Sequence, residues 1–271
     1  MKKYELTSET KIVFGHILYR IKALSSFGCV SAGDLGGFLE SEKNLSQNGN
    51  AWVYGNAWVY GDARVSGDAR VYGNAWVYGN ARVSGDARVY GNAWVYGNAW
   101  VYGNAWVYGN AEVYGNAEVS GDARVYGDAR VYGNAWVYGN AWVYGNAWVY
   151  GNAWVYGNAE VYGNAEVSGD ARVSGDARVS GDARASGDAE VSEIGAIFWI
   201  GAVGSRNDTA TFFRCRDGSI KVVCGCFFGN LDEFAKKVRK THGDNDHAKV
   251  YMLAIDMAKI RISTEKEKTE E

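Results

Sequence analysis

The residues best suited to metal chemistry lie in the C-terminal part of the chain. Two cysteines, Cys224 and Cys226, are separated by one residue. Other potential ligands in the same region are Cys215, His242 and His247. Zinc prefers thiolate and imidazole, but the paired cysteines of structural zinc sites are usually two or more residues apart. On a strand, Cys224 and Cys226 would face one side, as buried strand cysteines do. We therefore predict no metal ion and no cofactor.

Histidine is the commonest general acid or base in enzymes, and the sequence offers three: His16, His242 and His247. None of them lies in the long repeat that dominates the chain, and that repeat has no insertion that could form a substrate pocket. We therefore predict no catalytic residue and a protein that is not an enzyme.

A short polar segment of Ser205, Arg206 and Asn207 follows Gly204 and precedes a predicted strand. A hydroxyl, a guanidinium group and the backbone amides of a turn can hold an anion. A solvated loop explains the same residues without any ligand. Both interpretations stay open, and these three residues form a candidate anion-binding loop.

The rest of the chain is organised around one six-residue unit. Gly-Asn/Asp-Ala-x-Val-Tyr/Ser repeats without insertion or deletion from Gly49 to Ser192. Glycine adopts positive φ freely and asparagine tolerates it, so each Gly-Asn predicts a corner. On the strand that follows, Ala57 and Val59 face one way and Trp58 faces the other. A corner after every short strand predicts a coil, and stacked coils form a parallel β-solenoid.

The alanine and valine columns are predicted to fill the interior of the coil. Tryptophan and tyrosine are too large for so narrow a prism, and the Arg and Glu that replace Trp in some units would be buried charges without partners. The aromatic side chains therefore point outward. The predicted binding surface consists of these outward aromatic residues: Trp52, Tyr54, Trp58, Tyr60, Trp76, Tyr78, Trp94, Tyr96, Trp100, Trp106, Trp136, Trp142, Trp148 and Trp154.

Three interpretations of the outward aromatic residues are open. Side chains one coil apart lie about 4.8 Å from each other, so Tyr-on-Tyr and Trp-on-Arg ladders would stabilise the sheets. Trp, Tyr and Arg are also typical of binding hot spots, which indicates an interface with a second copy or another protein. Stacking of sugars or bases is the third interpretation. Most repeat arginines follow a Gly-Asp corner, which predicts Asp–Arg pairs, although duplication of whole units explains the same pattern.

The order Val-Tyr-Gly-Asn-Ala-Trp resembles the hexapeptide repeat of left-handed parallel β-helices. That family places a small residue four positions after an aliphatic residue, as in Val53 with Ala57 and Val59 with Ala63. The resemblance implies a left-handed coil of about eight turns, each made of 18 residues in three units. The family includes trimeric acyltransferases and γ-class carbonic anhydrases. Their histidines on or beside the coils have no counterpart in this repeat, so an acyltransferase-like enzyme is the alternative to a binding protein.

A second resemblance covers about residues 1–192. The sequence Gly-Asp-Leu-Gly-Gly-Phe-Leu-Glu-Ser at residues 33–41 and Asn-Leu-Ser at residues 44–46 lead into the repeat. This arrangement is similar to a group of bacterial and phage hexapeptide-repeat proteins. The resemblance implies a fold but no activity, and it makes a phage or prophage accessory protein acting on a host factor a reasonable expectation.

The repeat divides the chain into three predicted parts. Residues 1–48 form an N-terminal β cap with strands at Lys3–Leu6 and His16–Leu24 and a degenerate first coil over residues 30–39. Residues 49–192 form the solenoid, and residues 193–271 form a small α+β domain of the ββαα type. A cap covers the unpaired strand groups at the end of a solenoid and prevents end-to-end stacking.

Within the predicted C-terminal domain, Thr209–Cys215 and Ile220–Gly225 form a hairpin. Asn230 caps a helix over Leu231–Thr241, and a second helix runs to Ile262. The predicted apolar face of the second helix consists of Val250, Leu253, Ala254 and Met257. The charged tail Thr264–Glu271 is predicted to be disordered.

Composition narrows the expected partners. The net charge of −3 gives no electrostatic reason to bind nucleic acid, although a weakly acidic rod that mimics a duplex is a second alternative function. No apolar run predicts a membrane span or a signal peptide, and four scattered cysteines fit a reducing cytoplasm. We expect a cytoplasmic, non-catalytic binding or assembly protein, whose partner is itself, as a dimer or trimer, or a host protein.

Overall fold

The computed structural model describes residues 2–262. Its centre is a β-solenoid of about nine turns, eight from the regular repeat and one from the N-terminal segment that starts the stack. Each six-residue unit contributes one two-residue strand, from Trp52–Val53 to Glu190–Val191, and these strands are β4 to β27. They stack in three parallel sheets, in which each residue pairs with the residue 18 positions further on, as Trp58 does with Trp76. The predicted parallel β-solenoid is confirmed, whereas the left hand of the coil stays a prediction.

The corners of the coil depend on glycine. Every repeat glycine has a φ between 58 and 74°, a range in which a Cβ atom would be strained. The coils are also too close for a side chain there, because a Cβ on Gly91 would lie 3.0 Å from the backbone nitrogen of Gly109. The asparagines beside the glycines form a second ladder, in which the amide of Asn98 donates to the side-chain oxygen of Asn116 at 3.0 Å.

The interior of the solenoid contains the predicted alanine and valine columns. Repeat residues such as Ala57, Val59, Ala105 and Val107 are fully buried, and they form one continuous core along the rod. These small side chains fill the prism with no polar atom to satisfy, so every outward position is free to vary among Trp, Arg and Glu.

The N-terminal cap comprises β1 (Tyr4–Val13), β2 (His16–Ala23) and β3 (Leu35–Leu39), followed by a 3-10 turn at Glu42–Asn44. The first hairpin is longer than predicted, and β2 pairs with β3 in antiparallel register. Strand β3 then pairs in parallel with Trp58–Val59, so the segment predicted to be a degenerate coil starts the stack.

The cap supplies hydrogen-bond donors to the first regular coil, one on each sheet. The ammonium group of Lys3 donates to the carbonyl of Ala51 at 2.9 Å, and the amide of Asn44 donates to the carbonyl of Ala63 at 2.9 Å. On the third sheet the backbone nitrogen of Phe38 donates to the carbonyl of Ala57 at 3.0 Å. A buried carbonyl without a donor is costly, so these contacts allow the solenoid to end here without unpaired carbonyl groups at these three positions.

The C-terminal domain has four antiparallel strands rather than the predicted two. They are β28 (Ile197–Val203), β29 (Asp208–Arg214), β30 (Ile220–Cys224) and β31 (Phe227–Asn230), followed by α1 (Leu231–His242) and α2 (Asp246–Arg261). The predicted hairpin is β29 and β30, and Asn230 caps α1 as expected. The segment 204–207 lies between β28 and β29, so it follows the first strand instead of preceding it.

This domain is itself a cap on the solenoid. One face of its sheet, with Ile197, Phe213 and Val223, joins the core of the rod, and the hydroxyl of Thr211 accepts from the backbone nitrogen of Arg184 at 3.0 Å. The opposite face packs against the two helices, for example through Phe212. The sheet therefore covers the apolar end of the last coil and accepts one of its backbone hydrogen bonds on one side, and it supports α1 and α2 on the other.

The predicted apolar face of α2 is wrong in part. Of the four residues predicted to share it, only Ala254 is buried; Val250, Leu253 and Met257 are exposed. The face toward the sheet carries alanines with Tyr251 and Ile255, because small side chains let α2 lie close to β28. Neither helix is long and apolar enough to span a membrane in the part of the chain that is described. The tail Thr264–Glu271 lies outside the described residues.

Candidate functional site

The tyrosines form stacked ladders along two faces of the rod. Neighbouring rings, such as Tyr72 with Tyr90 and Tyr78 with Tyr96, have centroids 4.7 and 4.9 Å apart and planes within 3° of parallel. Within a stacked ladder, each internal ring therefore has its faces covered by the neighbouring rings, and its edge and hydroxyl are what remain for solvent. A sugar or base needs an open aromatic face to stack on, so this geometry disfavours that interpretation of the tyrosine columns.

The tryptophans stack on one another or on arginines. Trp76 and Trp94 are 4.9 Å apart and nearly parallel. The guanidinium of Arg124 lies between two indoles, 5.3 Å from Trp106 and 4.9 Å from Trp142. These contacts give the predicted Trp-on-Arg ladders, and they stabilise positions that would otherwise expose a large indole.

Three glutamates in the outward columns, Glu112, Glu160 and Glu166, are held by the coils on both sides. The hydroxyl of Tyr96 donates to Glu112 at 3.1 Å, and Arg130 on the following coil lies 3.4 Å from the same carboxylate. Burial and the nearby carboxylate raise the pKa of Tyr96. These three Glu side chains therefore replace an indole without being left unpaired.

The predicted Asp–Arg pairs are wrong. Among residues 2–262, no repeat aspartate forms an ion pair with an arginine. Instead, repeat aspartates accept from asparagines one coil earlier, as Asp128 does from the amide of Asn110 at 2.9 Å. An aspartate accepts but cannot donate, so the donor ladder of amides ends at this residue.

The aromatic residues predicted as a binding surface differ in exposure. Trp52 is only 1% exposed, because Tyr4 and Phe27 of the N-terminal cap pack against it, and Tyr60 is buried beside His16. These two are corrected from surface to core. Seven others are half-buried: Tyr54, Trp58, Trp76, Tyr78, Tyr96, Trp106 and Trp154. Five tryptophans are exposed, with values of 37 to 43%: Trp94, Trp100, Trp136, Trp142 and Trp148.

A different apolar surface was missed from the sequence. On α2, Val250, Leu253, Met257 and Ile260 are 39, 63, 50 and 87% exposed. Their spacing of three, four and three residues places them in one stripe along the helix, which we call the α2 stripe. The spacing is visible in the sequence, but it predicts a core face, because a helix with one apolar face usually buries that face.

A cleft of about 360 Å³ opens in the C-terminal domain. Its rim brings together the β28–β29 turn with Ser205 and Arg206, the β30–β31 turn with Cys226, and the α1 residues Lys237 and His242. Two of the three predicted anion-loop residues therefore line a concave site. The third, Asn207, has a φ of 52° and closes the turn, with its backbone nitrogen 3.4 Å from the carbonyl oxygen of Gly204.

The floor of this cleft is apolar and rigid. Phe234, Val238 and Tyr251 are almost completely buried. The hydroxyl of Tyr251 lies 3.7 Å from the sulfur of Cys224, and burial raises the pKa of both groups. A thiol with a raised pKa is a poor nucleophile at neutral pH, so Cys224 is poorly suited to act as one.

Of the five potential metal ligands named from the sequence, Cys224, Cys226 and His242 line the cleft, but they do not form a group with ligand atoms close enough to share a metal among the described residues. Among the described residues, Cys215 is grouped with Asp188 and Asp217, and neither His242 nor His247 joins them. Burial raises the pKa of the Cys215 thiol to about 12, and Asp188 forms an ion pair with Lys221 at 2.6 Å. A protonated thiol and an already paired carboxylate are poor ligands, so the donor set does not favour a metal.

The repeat is similar to a known family of solenoid repeats. The YdcK Beta solenoid repeat matches residues 63–79, 75–91, 81–97, 87–103, 93–109, 123–139, 135–151, 141–157 and 171–187. These matches cover less than half of the chain and none of its C-terminal domain. Comparison with curated proteins found no match. The parallel sheets and the repeat match together show that the chain is a β-solenoid repeat protein with YdcK-like repeats.

Proposed function

We propose that this chain is a non-catalytic assembly scaffold, a rigid rod that binds a second copy of itself. The observation that carries the proposal is the α2 stripe. Four large apolar side chains lie in line on a helix whose other face is already packed against the sheet. A single exposed apolar residue needs no explanation, but a continuous stripe at the end of a rod is typical of an interface.

The charges at the ends of the stripe favour another α2 as the occupant. Asp246, which also pairs with Lys249 at 2.8 Å, is in the first turn of α2 and Arg261 is in the last, and helical geometry places both in line with the stripe. If two α2 helices pack antiparallel, Asp246 of each lies opposite Arg261 of the other. Such an arrangement has twofold symmetry and is self-complementary, as in most homodimers. It supports a dimer rather than the trimer implied by resemblance to the acyltransferases.

The exposed tryptophans remain available on the rod of such a dimer. Trp94 and Trp148 belong to one sheet, Trp100 and Trp136 to a second, and Trp142 to the third. In the proposal they are secondary contacts between copies packed side by side, since Trp is typical of hot spots and is already held rigid by its ladder. The alternative occupant of these faces is a host protein.

Several finer expectations belong to this proposal. They are the left-handed hexapeptide-repeat relationship, a phage or prophage origin and a cytoplasmic location. The turn of 18 residues with alanine and valine inside supports the first. The alternative of acyl transfer would need a histidine base on the coils. The nearest is His16, whose Nδ1 is hydrogen-bonded to Glu40 at 2.9 Å and whose ring packs on Tyr60. In the proposal these contacts hold the N-terminal cap on the rod, and they leave His16 without the role of a general base.

The proposal is tested by light scattering on a sizing column with the full chain and two double variants. We expect a dimer of the 29.6 kDa chain that Leu253→Glu with Met257→Glu converts to a monomer. Trp94→Ser with Trp148→Ser is the comparison variant; because it removes only secondary contacts, it should weaken the dimer without converting it to a monomer. Dissociation by the tryptophan variant alone would move the contact to the aromatic faces. A monomeric parent protein at all concentrations overturns self-assembly.

A further inference from the structure

The cleft of the C-terminal domain lies away from the α2 stripe and from the aromatic faces, and no part of the assembly proposal requires it. It is formed where two turns of the sheet meet the second half of α1. Its volume is at the lower end of the range for small-molecule sites, which is too small for a folded partner.

Two cations on the rim lack partners. Arg206 and Lys237 form no ion pair or hydrogen bond among the described residues, whereas other basic residues nearby, such as Lys221 and Lys249, are paired with aspartates. The single carboxylate of the lining is Asp208, and one of its oxygens already accepts from the backbone nitrogen of Thr209 at 2.8 Å. The rim therefore has an excess of positive charge.

The cleft is lined by both polar and apolar groups. The hydroxyls of Ser205 and Thr241 lie on the same lining as the two cations, while Phe227 and Phe234 form an aromatic pair with centroids 5.1 Å apart. A ligand with one anionic end and one flat apolar end can satisfy both parts at once. An inorganic anion would leave these two rings unused; we call them the aromatic wall, of which Phe234 also belongs to the cleft floor.

We propose that this cleft binds a small organic acid, with its phosphate or carboxylate between Arg206 and Lys237 and its flat apolar part against Phe227 and Phe234. The close approach of the turn depends on Gly204, since a Cβ there would overlap the Tyr251 ring. The turn carrying Arg206 is thus held directly over the cleft floor. Charge-assisted hydrogen bonds from both cations would orient the acid group.

The test is ligand-observed NMR on the full chain with phenyl phosphate and benzoate as probes. We expect at least one probe to bind, and to bind about tenfold more weakly to Arg206→Gln and to Lys237→Gln, as loss of a charge-assisted hydrogen bond implies. Lys236→Gln is the matched control, because Lys236 is an exposed neighbour on α1 outside the cleft lining. It should leave affinity unchanged.

Two further probes separate the parts of the inference. Inorganic phosphate and phenol each lack one half of the proposed ligand, and both should bind more weakly than phenyl phosphate. Absence of binding by both organic acids overturns the proposal, and so does an equal loss of affinity in Lys236→Gln. Equal binding of inorganic phosphate and phenyl phosphate would show that the aromatic wall takes no part, which also overturns it. None of these outcomes depends on the oligomeric state.

Discussion

The tyrosines combine two roles that are usually separate, because each ring is both an outward residue and half-buried between its neighbours. Burial, together with the adjacent Tyr72 and Tyr108, raises the pKa of Tyr90 from 10.0 to about 12. The pKa of Tyr60 is also raised to about 12, mainly by burial under the N-terminal cap. The ladder therefore stabilises the neutral phenol in the folded state.

These pKa shifts predict how stability depends on alkaline pH. A phenol whose pKa is higher in the folded state stabilises the fold fully below the unfolded pKa of about 10, and this contribution is lost as pH rises toward 12. We expect the solenoid to keep its circular dichroism at pH 10 and to unfold near pH 12, with tyrosinate absorbance appearing together with unfolding. The same titration in guanidinium is the control. Ordinary titration near pH 10 with intact structure would contradict the prediction.

Residue types alone could not predict how the outward residues are satisfied. Asp128 and Arg130 lie in one unit, which suggested a pair, but each bonds to a different residue one coil away. The partners are set by stacking register, and that register follows only once the turn is known to contain 18 residues. Trp52 carries the same unit sequence as Trp58, and it is buried only because the cap folds over it.

At the scale of the element, the glycine corner makes one strand follow another at a fixed angle and distance. We expect Gly91→Ala to destabilise the rod by about 1–2 kcal/mol from the left-handed backbone alone. The contact of 3.0 Å with the backbone nitrogen of Gly109 adds to this loss, because backbone cannot move aside as a side chain can. The measurement is the guanidinium midpoint of the full chain.

The matched control for this substitution is Gly201→Ala. Gly201 is exposed and has no positive φ, and a Cβ there would meet nothing closer than the Thr209 hydroxyl at 3.6 Å. Its midpoint should match that of the parent protein. A midpoint for Gly91→Ala equal to that of Gly201→Ala would mean that the corners tolerate a side chain.

Elements with a local, repeated signal were predictable, and elements defined by what packs on them were not. Each unit of the repeat predicts the same corner and the same strand, so the fold of the whole solenoid follows from six residues. Strand β31 has only four residues and no alternation of its own, and it exists because β30 pairs with it. The orientation of α2 depends on which of its faces the sheet can approach closely. That depends on the helix and the sheet together, so the sequence of the helix alone does not show it.

At the scale of the whole molecule, the two caps differ in what they do beyond covering the rod. The N-terminal cap supplies donors to the first coil through Lys3 and Asn44. The C-terminal cap covers the last coil with one sheet face, and its helices carry both the α2 stripe and the cleft. The proposed interaction sites are therefore concentrated at one end, and the solenoid sets how far apart the two ends lie.

Because the proposed interaction sites lie in the C-terminal cap, we predict that the solenoid can be shortened without loss of assembly. Each coil contacts mainly its two neighbours, so removal of residues 91–108, which make up one 18-residue turn, keeps every inward column in register. We expect the shortened chain to fold, to be about 4.8 Å shorter, and to dimerise as the parent does, because the C-terminal cap and α2 are unchanged. Circular dichroism and light scattering measure these properties.

Removal of nine residues is the control, since it places outward residues in inward columns and should prevent folding. If removal of the full turn also prevents folding, the solenoid is not a modular spacer, and a specific pattern of aromatic and charged residues along its length is required instead.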